Sequence, residues 1–235
     1  MYYLSQDNPK YQGLAHLLDS AKIEFSFEKC DGIKVVDEIS SDNEISFATV
    51  VRNLSKEIVC IGACGEEKNI ITAMLMQVFS GFKETSYLME KEGFLKEDSD
   101  YFALAMYDED LLAYRPEYAI ISKPKNLGKY VSFARNVKEA ILCDEDYVED
   151  VLVSDIDLPF FSYGFSEGAD FSACNLEIDE EYARFDLNFK SNYVGSYVLP
   201  ILDKRTLKDA LSVIALATLY CFDSRKIELL LTQYR

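Results

Sequence analysis

The chain of 235 residues has an ordinary composition, 49% hydrophobic and 28% charged, but a net charge of −17. That length can bury a core of its own, and the acidic balance repels nucleic acid, with no Lys/Arg cluster to offset it. The N-terminus lacks the basic and apolar regions of a secretory signal, and the longest apolar run, Ala210 to Phe222, falls short of the roughly 20 residues of a membrane span, so a cytoplasmic protein that binds neither nucleic acid nor membrane is expected.

In chain order, "YYL" reads as a strand. "GLAHLLDSA" reads as a helix, with Leu14, Leu17, Leu18 and Ala21 at helical spacing, and "IEFSF" alternates like a strand. A β-α-β order of this kind opens a doubly wound unit. "SSDNE" then reads as a linker. A helix follows in "EISFATVVRNLS". "IVCIGACGEEKNIITAMLMQVF" gives a buried strand from Ile58 to Ile61, a turn holding Gly62 and Gly65, and a helix from Ile70 onward. "DYFALAMYDED" is a strand ending in an acidic turn, "EYAIISK" a buried strand, "YVSFARNVK" a helix, and "EAILCDED" another strand running into an acidic loop. Strands alternating with helices predict a mostly parallel sheet covered on both faces.

The pattern changes after Asp155. "FFSYGF", "FSACNLEI", "YARFDLNF" and "GSYVLPI" read as antiparallel strands, with Tyr163-Gly164 at a turn. "TLKDALSVIALATLYCF" is a strongly apolar helix, and "SRKIELLLTQYR" a last short one with Ser224 as its N-cap.

The strand-turn-helix at Gly62 has the frame of a phosphate-binding loop. Gly62 is followed by four residues and then by Glu67, Lys68 and Asn69. The lysine is in register, but Glu67 replaces the last glycine and Asn69 the hydroxyl that would reach Mg²⁺. A shorter register aligns Gly62 with Gly65 and then places Glu66 at the lysine and Glu67 at the hydroxyl. Such loops aim backbone N–H groups and a cation at phosphate. A carboxylate about 4 Å from phosphate costs roughly 4 kcal/mol at an effective dielectric near 20. The plainer reading is a structural turn.

"YDED", Tyr107 to Asp110, lies at a strand's carboxyl end, where α/β folds place ligands. Asp108, Glu109 and Asp110 could take Mg²⁺ through oxygen; a solvated acidic turn explains them equally. "CDEDYVED" has the same two readings. Asp209, in the first turn of the long helix, is explained by the helix dipole. Cys30, Cys60, Cys64, Cys143, Cys174 and Cys221 show no zinc spacing and read as free thiols, several of them buried, in a reducing compartment. His16 is the one histidine, in an apolar helix, which excludes any mechanism using two imidazoles. No serine-nucleophile motif occurs.

The ordered succession of these pieces resembles the Mur ligases, the ATP-dependent enzymes that add amino acids to the peptidoglycan precursor, and among them the UDP-N-acetylmuramate–L-alanine ligases. "YYLSQDNPKYQGLAHLLDSAKIEFSFEK" is similar to the family's UDP-cradling strand, loop and helix, with "GLA" in place and Ser5, Asp7, Asn8 and Lys10 where loop glycines stand. "IVCIGACGEEKNIITAML" is similar to its ATP loop, "YFALAMYDEDLLAYRPEYAIISK" and "AILCDED" to the strands that follow, "FFSYGFSEGADFSACNLEIDEEYARFDL" to its antiparallel part, and "LPILDKRTLKDALSVIALATLYCFD" to its adenine-contacting helix.

The resemblance implies an α/β fold: a shortened Rossmann-like unit at residues 1–45, and at 46–235 a central domain with a mostly parallel P-loop-like sheet and a small antiparallel sheet. The family's C-terminal ligase domain would be absent. If nucleotide binding is retained, the resemblance assigns it to Gly62, Gly65, Lys68, Asn69 and Asp209, with Asp108 and Glu109 on Mg²⁺. The departures are at the chemistry. Asn69 or Glu67 takes the place of a hydroxyl and Ala105 that of a glutamate. "SKPKNLGKY" replaces the segment with the metal-binding histidine, and "RTLKD", Arg205 to Asp209, replaces an Asn-bearing one. Phosphoryl transfer rests on positioned charge and metal. The expectation is therefore a pseudoenzyme with no catalytic residues and no cofactor, binding or regulating another Mur ligase or cell-wall enzyme. The alternatives are a residual ligase using ATP and Mg²⁺ or a UDP-sugar, and an interaction protein unrelated to the cell wall.

Overall fold

The computed structural model describes residues 2–4, 9–27, 34–36, 44–151, 157–201 and 203–234. Ser5, Asp7, Asn8, Cys30, most of "SSDNE" and Asp155 lie outside the described residues.

The chain opens with β1 (Tyr2–Tyr3), α1 (Lys10–Ser20) and β2 (Phe25–Ser26), and β1 and β2 pair in parallel, the β-α-β unit its periodicity calls for. β3 (Lys34–Val36) and β4 (Glu44–Ile45) complete a four-stranded parallel sheet in the order β2-β1-β3-β4. α2 (Phe47–Leu54) follows at once, because the Ser46 side chain accepts the free N–H of Thr49 and caps the helix.

The second sheet holds β5 (Val59–Gly65), then, after α3 (Lys68–Ser80), β6 (Thr85–Leu88), β7 (Gly93–Phe94), β8 (Tyr101–Ala105) and β9 (Tyr118–Ser122). α4 (Leu127–Ala134) leads to β10 (Ala140–Asp144), α5 (Val148–Val151), β11 (Phe160–Gly164), β12 (Phe171–Ile178), β13 (Ala183–Phe189) and β14 (Asn192–Leu199). α6 (Lys204–Leu219) and α7 (Ser224–Thr232) close the chain. The spatial order is β14-β13-β12-β11-β10-β9-β5-β8-β6-β7. The central strands are parallel, and the antiparallel β12–β14 meander continues the same sheet.

Strand alternation divides the core. Cys60, Cys64, Phe102, Leu104 and Ile121 pack with α1, α2 and α4, while Ile61, Ala63, Ala103, Ile120 and Leu142 pack beneath α3, α6 and α7. Both faces are dry, as a parallel sheet requires.

Four local expectations are corrected. β5 does not stop at Ile61 but runs to Gly65. Gly62 is a strand residue, paired to Leu104 and Ala119, and its missing Cβ makes room for the Met106 side chain, 2.3 Å from where a Cβ would lie. α3 starts two residues before Ile70. β11 is parallel to both neighbours, not antiparallel; on the β10 side this follows from α5, which stands between β10 and β11 in the chain. The cap of α7 is Asp223, whose carboxylate accepts the N–H of Lys226, and Ser224 is the first helical residue. The β6–β7 hairpin has no counterpart in the sequence reading; it seats α1 by backbone contact, with the Gly93 Cβ position 2.4 Å from the Gly13 carbonyl.

Candidate functional site

β5 is where the order of the large sheet reverses: β8 lies on one side of it and β9 on the other. Such a switch point opens a crevice outside the carboxyl ends of the strands. A cleft of about 380 Å³ lies on its β9 side, between the ends of β9, β10 and β11 and the first turns of α6.

The floor of this region is the turn from β5 to α3. Gly65 has φ +104°, and a Cβ there would lie 1.5 Å from the Ser122 carbonyl oxygen, so the turn presses directly on the end of β9. Glu66 and Glu67 follow at the amino end of α3, where the helix dipole favours negative charge. The Glu66 carboxylate pairs with Lys123 and lies 3.3 Å from the Arg205 guanidinium. Glu67, 8% exposed, also pairs with Arg205. The hydrogen bond from Lys123 and its charge hold the Glu66 carboxyl below its ordinary range. The turn thus supplies two carboxylates of its own where a phosphate loop presents its donors to a ligand, and two cations from β9 and α6 close over them.

The other loop residues face elsewhere. The Lys68 ammonium sits over the Tyr107 ring, 5.3 Å from its centroid. Asn69 is bound on both sides by Glu90: its side-chain NH₂ donates to the Glu90 carboxylate at 3.2 Å, and its oxygen accepts the Glu90 N–H at 3.1 Å. Gly62 is inside β5, away from the turn.

On the cleft's far wall, Lys208 bridges Asp144, at 2.5 Å, and Asp146, at 2.7 Å. Burial pushes the Asp144 carboxyl up against the pull of Lys208; burial draws the lysine down, but its hydrogen bonds to Asp144 and Asp146 outweigh this and raise it. Asp209, one residue on, is 3% exposed. Ser122 donates to one of its oxygens at 3.5 Å, and among the described residues the other has no partner. Burial pushes the Asp209 carboxyl up to about 7, against the pull of Arg205.

The acidic turn after β8 splits. Asp108 accepts the Tyr130 hydroxyl at 2.6 Å. Glu109 and Asp110 instead face Lys10 of α1, at 3.4 and 3.1 Å. Asp108 and Glu109 are therefore held by different partners, and among the described residues no three His, Cys, Asp or Glu side chains group to hold a metal. His16 is exposed beside a shallow groove on α1. Lys123, Arg205 and Lys208 had no role in the sequence reading. A signal existed: the segments that replace the family's polar and histidine residues each bring a cation, and the loop they face brings two acids.

No family model matches the sequence. Solved structures share the fold. A UDP-N-acetylmuramate:L-alanyl-γ-D-glutamyl-meso-diaminopimelate ligase from Neisseria meningitides aligns over 100% of this chain and 97% of its own, at 15% identity and a TM-score of 0.75. A UDP-N-acetylmuramoyl-L-alanyl-D-glutamate–2,6-diaminopimelate ligase aligns over 86% of this chain and 54% of its own, at 12% identity and 0.67. UDP-N-acetylmuramate-alanine ligase from Thermotoga maritima aligns over 93% and 59%, at 15% identity and 0.67. The chain spans between half and three-fifths of the length of the last two. At these identities the likeness establishes the fold, and it is the α/β arrangement of Mur ligases.

Proposed function

We propose that this chain is a non-catalytic binding or regulatory protein of peptidoglycan precursor metabolism, built on a Mur-ligase framework whose nucleotide loop is filled from within. The observation that carries the reading is the pairing of Glu66 and Glu67 with Lys123 and Arg205 at the amino end of α3. A phosphate entering there would have to displace two paired carboxylates or face their repulsion. Lys68, Asn69 and Asp108, which the resemblance would give to phosphate and Mg²⁺, are held by Tyr107, Glu90 and Tyr130. This donor set does not suit a magnesium nucleotide. The partner is another Mur ligase or a cell-wall enzyme.

Isothermal titration with Mg²⁺-ATP and with UDP-N-acetylmuramate tests the reading, alongside capture of purified Mur ligases on the immobilised chain. The expected results are no heat from ATP and saturable retention of a ligase. Stoichiometric ATP binding that Lys68→Ala weakens would support the alternative, a residual nucleotide-binding ligase. One observation favours that alternative: Asp209 turns a buried, unpartnered oxygen within the cleft wall, next to the cations Arg205 and Lys208.

A further inference from the structure

At the opposite end of the sheet, a second cavity of about 210 Å³ lies between α2, the amino ends of β5 and β9, and the turn before β9. Its inner wall is mostly apolar, with Val51, Ile58, Leu104 and Tyr114 among the lining residues. Its rim is cationic. Arg52, Lys56, Arg115 and Lys138 line it against a single carboxylate, Glu117, on a chain whose net charge is −17.

The rim charges are not equally spent. Glu117 is fully committed, accepting Lys138 on one oxygen at 2.5 Å and the Cys60 N–H on the other at 2.8 Å. Arg115 turns its guanidinium back onto the carbonyls of Leu112 and Tyr114, at 2.8 and 2.7 Å. Arg52, in the last turn of α2, and Lys56, two residues past its end, have no acidic partner among the described residues. A local excess of positive charge survives here against the field of the whole protein. The plain alternative, that both cations serve the carboxyl end of the α2 dipole, accounts for their position near the helix end but not for the apolar cavity they overhang.

We infer that this cavity binds a small organic monoanion, a carboxylate carrying a short aliphatic or single-ring body. The body fills the apolar wall, and the carboxylate meets Arg52 and Lys56 at the mouth, where charge-assisted hydrogen bonds are available. The volume is below the roughly 300–1,000 Å³ of ordinary ligand pockets, which excludes a nucleotide and suits a single ring. The site is independent of the carboxyl-edge cleft.

Benzoate titrated into the full chain by isothermal calorimetry tests the inference, with benzyl alcohol as a neutral analogue and inorganic phosphate as an anion without a body. The expected result is saturable one-to-one binding of benzoate. Binding should be at least about tenfold weaker for both comparators, and for an Arg52→Gln/Lys56→Gln double variant that keeps wild-type melting. Absence of saturable benzoate binding, equal affinity for either comparator, or an unchanged affinity in the double variant would each overturn it. A Glu67→Gly variant, which alters the cleft, should bind benzoate as wild type does, so failure here is distinct from failure of the proposed function.

Discussion

Arg205, in the first turn of α6, pairs with Glu67, the residue just before the first turn of α3. The two partners are unequal in exposure: the arginine side chain is 56% exposed and the glutamate 10%. Removing the arginine leaves a buried carboxylate without its cation, whereas removing the glutamate leaves an arginine in water. Arg205→Ala is therefore expected to cost about 1–2 kcal/mol, reduced from the full buried-pair value by the arginine's exposure. Glu67→Gln should cost less, and the double-mutant cycle should return a coupling of about 1 kcal/mol. Urea denaturation measures all three, and a silent Arg205→Ala would reduce the pair to an incidental surface contact.

The same geometry predicts a gain of binding. Glu66→Ser/Glu67→Gly leaves Lys123 and Arg205 facing free N–H groups at the amino end of α3, an anion site by construction. Phosphate is expected to raise the melting temperature of this variant and not that of wild type. At ten times a millimolar Kd, linkage gives about 1.4 kcal/mol, or roughly 3–6 °C for a chain of this size. Adding Arg205→Ala to the variant should abolish the rise.

What the sequence revealed follows the range of the forces involved. β5, β8, β9 and β10 are legible because strands buried on both faces must be continuously apolar. The hairpin of Thr85–Leu88 and Gly93–Phe94 is not, because its strands are only four and two residues long, the loop between them is charged, and it packs on Gly13 of α1. Gly62 is legible as a glycine but not as a strand residue, since only Met106, just past the end of β8, shows why it must be small. At the site, the positions of Glu66 and Glu67 could be read and their partners could not. Arg205 lies 139 residues from Glu66, and nothing local joins them.

Gly65→Ala tests how far the turn depends on its glycine. The residue sits at φ +104° with the Ser122 carbonyl oxygen 1.5 Å from the Cβ position, so strain and backbone collision act together. A loss above about 3 kcal/mol, or failure to fold, is expected. Gly128→Ala in α4 is the control: it meets nothing nearer than the Asn126 side chain at 3.8 Å and should stabilise by about 0.5 kcal/mol. Calorimetric melting of both variants separates a conformational requirement from a general sensitivity to glycine loss.

Lys10, which the resemblance aligns with a loop glycine, is in the fold a buried cation, 1% exposed. It faces Asp110 at 3.1 Å and lies 5.2 to 5.8 Å from the ring centroids of Tyr11, Phe47 and Tyr107. It ties α1 to the turn after β8, and so the small sheet to the large one. Lys10→Ala removes both the packing and the cation facing Asp110, and a loss of about 3 kcal/mol is expected. Lys10→Met keeps the packing, so pairing it with Asp110→Asn should recover part of that loss. If Lys10→Met alone is as stable as wild type, charge has no part in the clamp.

Asp209 makes the pH dependence specific. Burial raises its folded carboxyl to about 7 from an ordinary value of 3.8, with Arg205 opposing and Asp144 and Asp203 reinforcing the rise. The sign follows from proton linkage. Between those two values the folded chain holds a proton that the unfolded chain has released, so stability falls as pH rises through the interval and levels off above about 7. Below pH 4 both states are protonated and the contribution is neutral. Asp209→Asn removes the titration and keeps the size. The variant should match wild type near pH 4 and exceed it at pH 8 by an amount of order 4 kcal/mol, the difference growing through pH 5 to 7. The chain's overall acidity also lowers stability with pH, but it is common to both proteins and cancels in the difference. Paired urea titrations at pH 4, 6 and 8 give that difference directly. A constant offset across the three would mean that the amide acts through shape or hydrogen bonding to Ser122, and not through the buried charge.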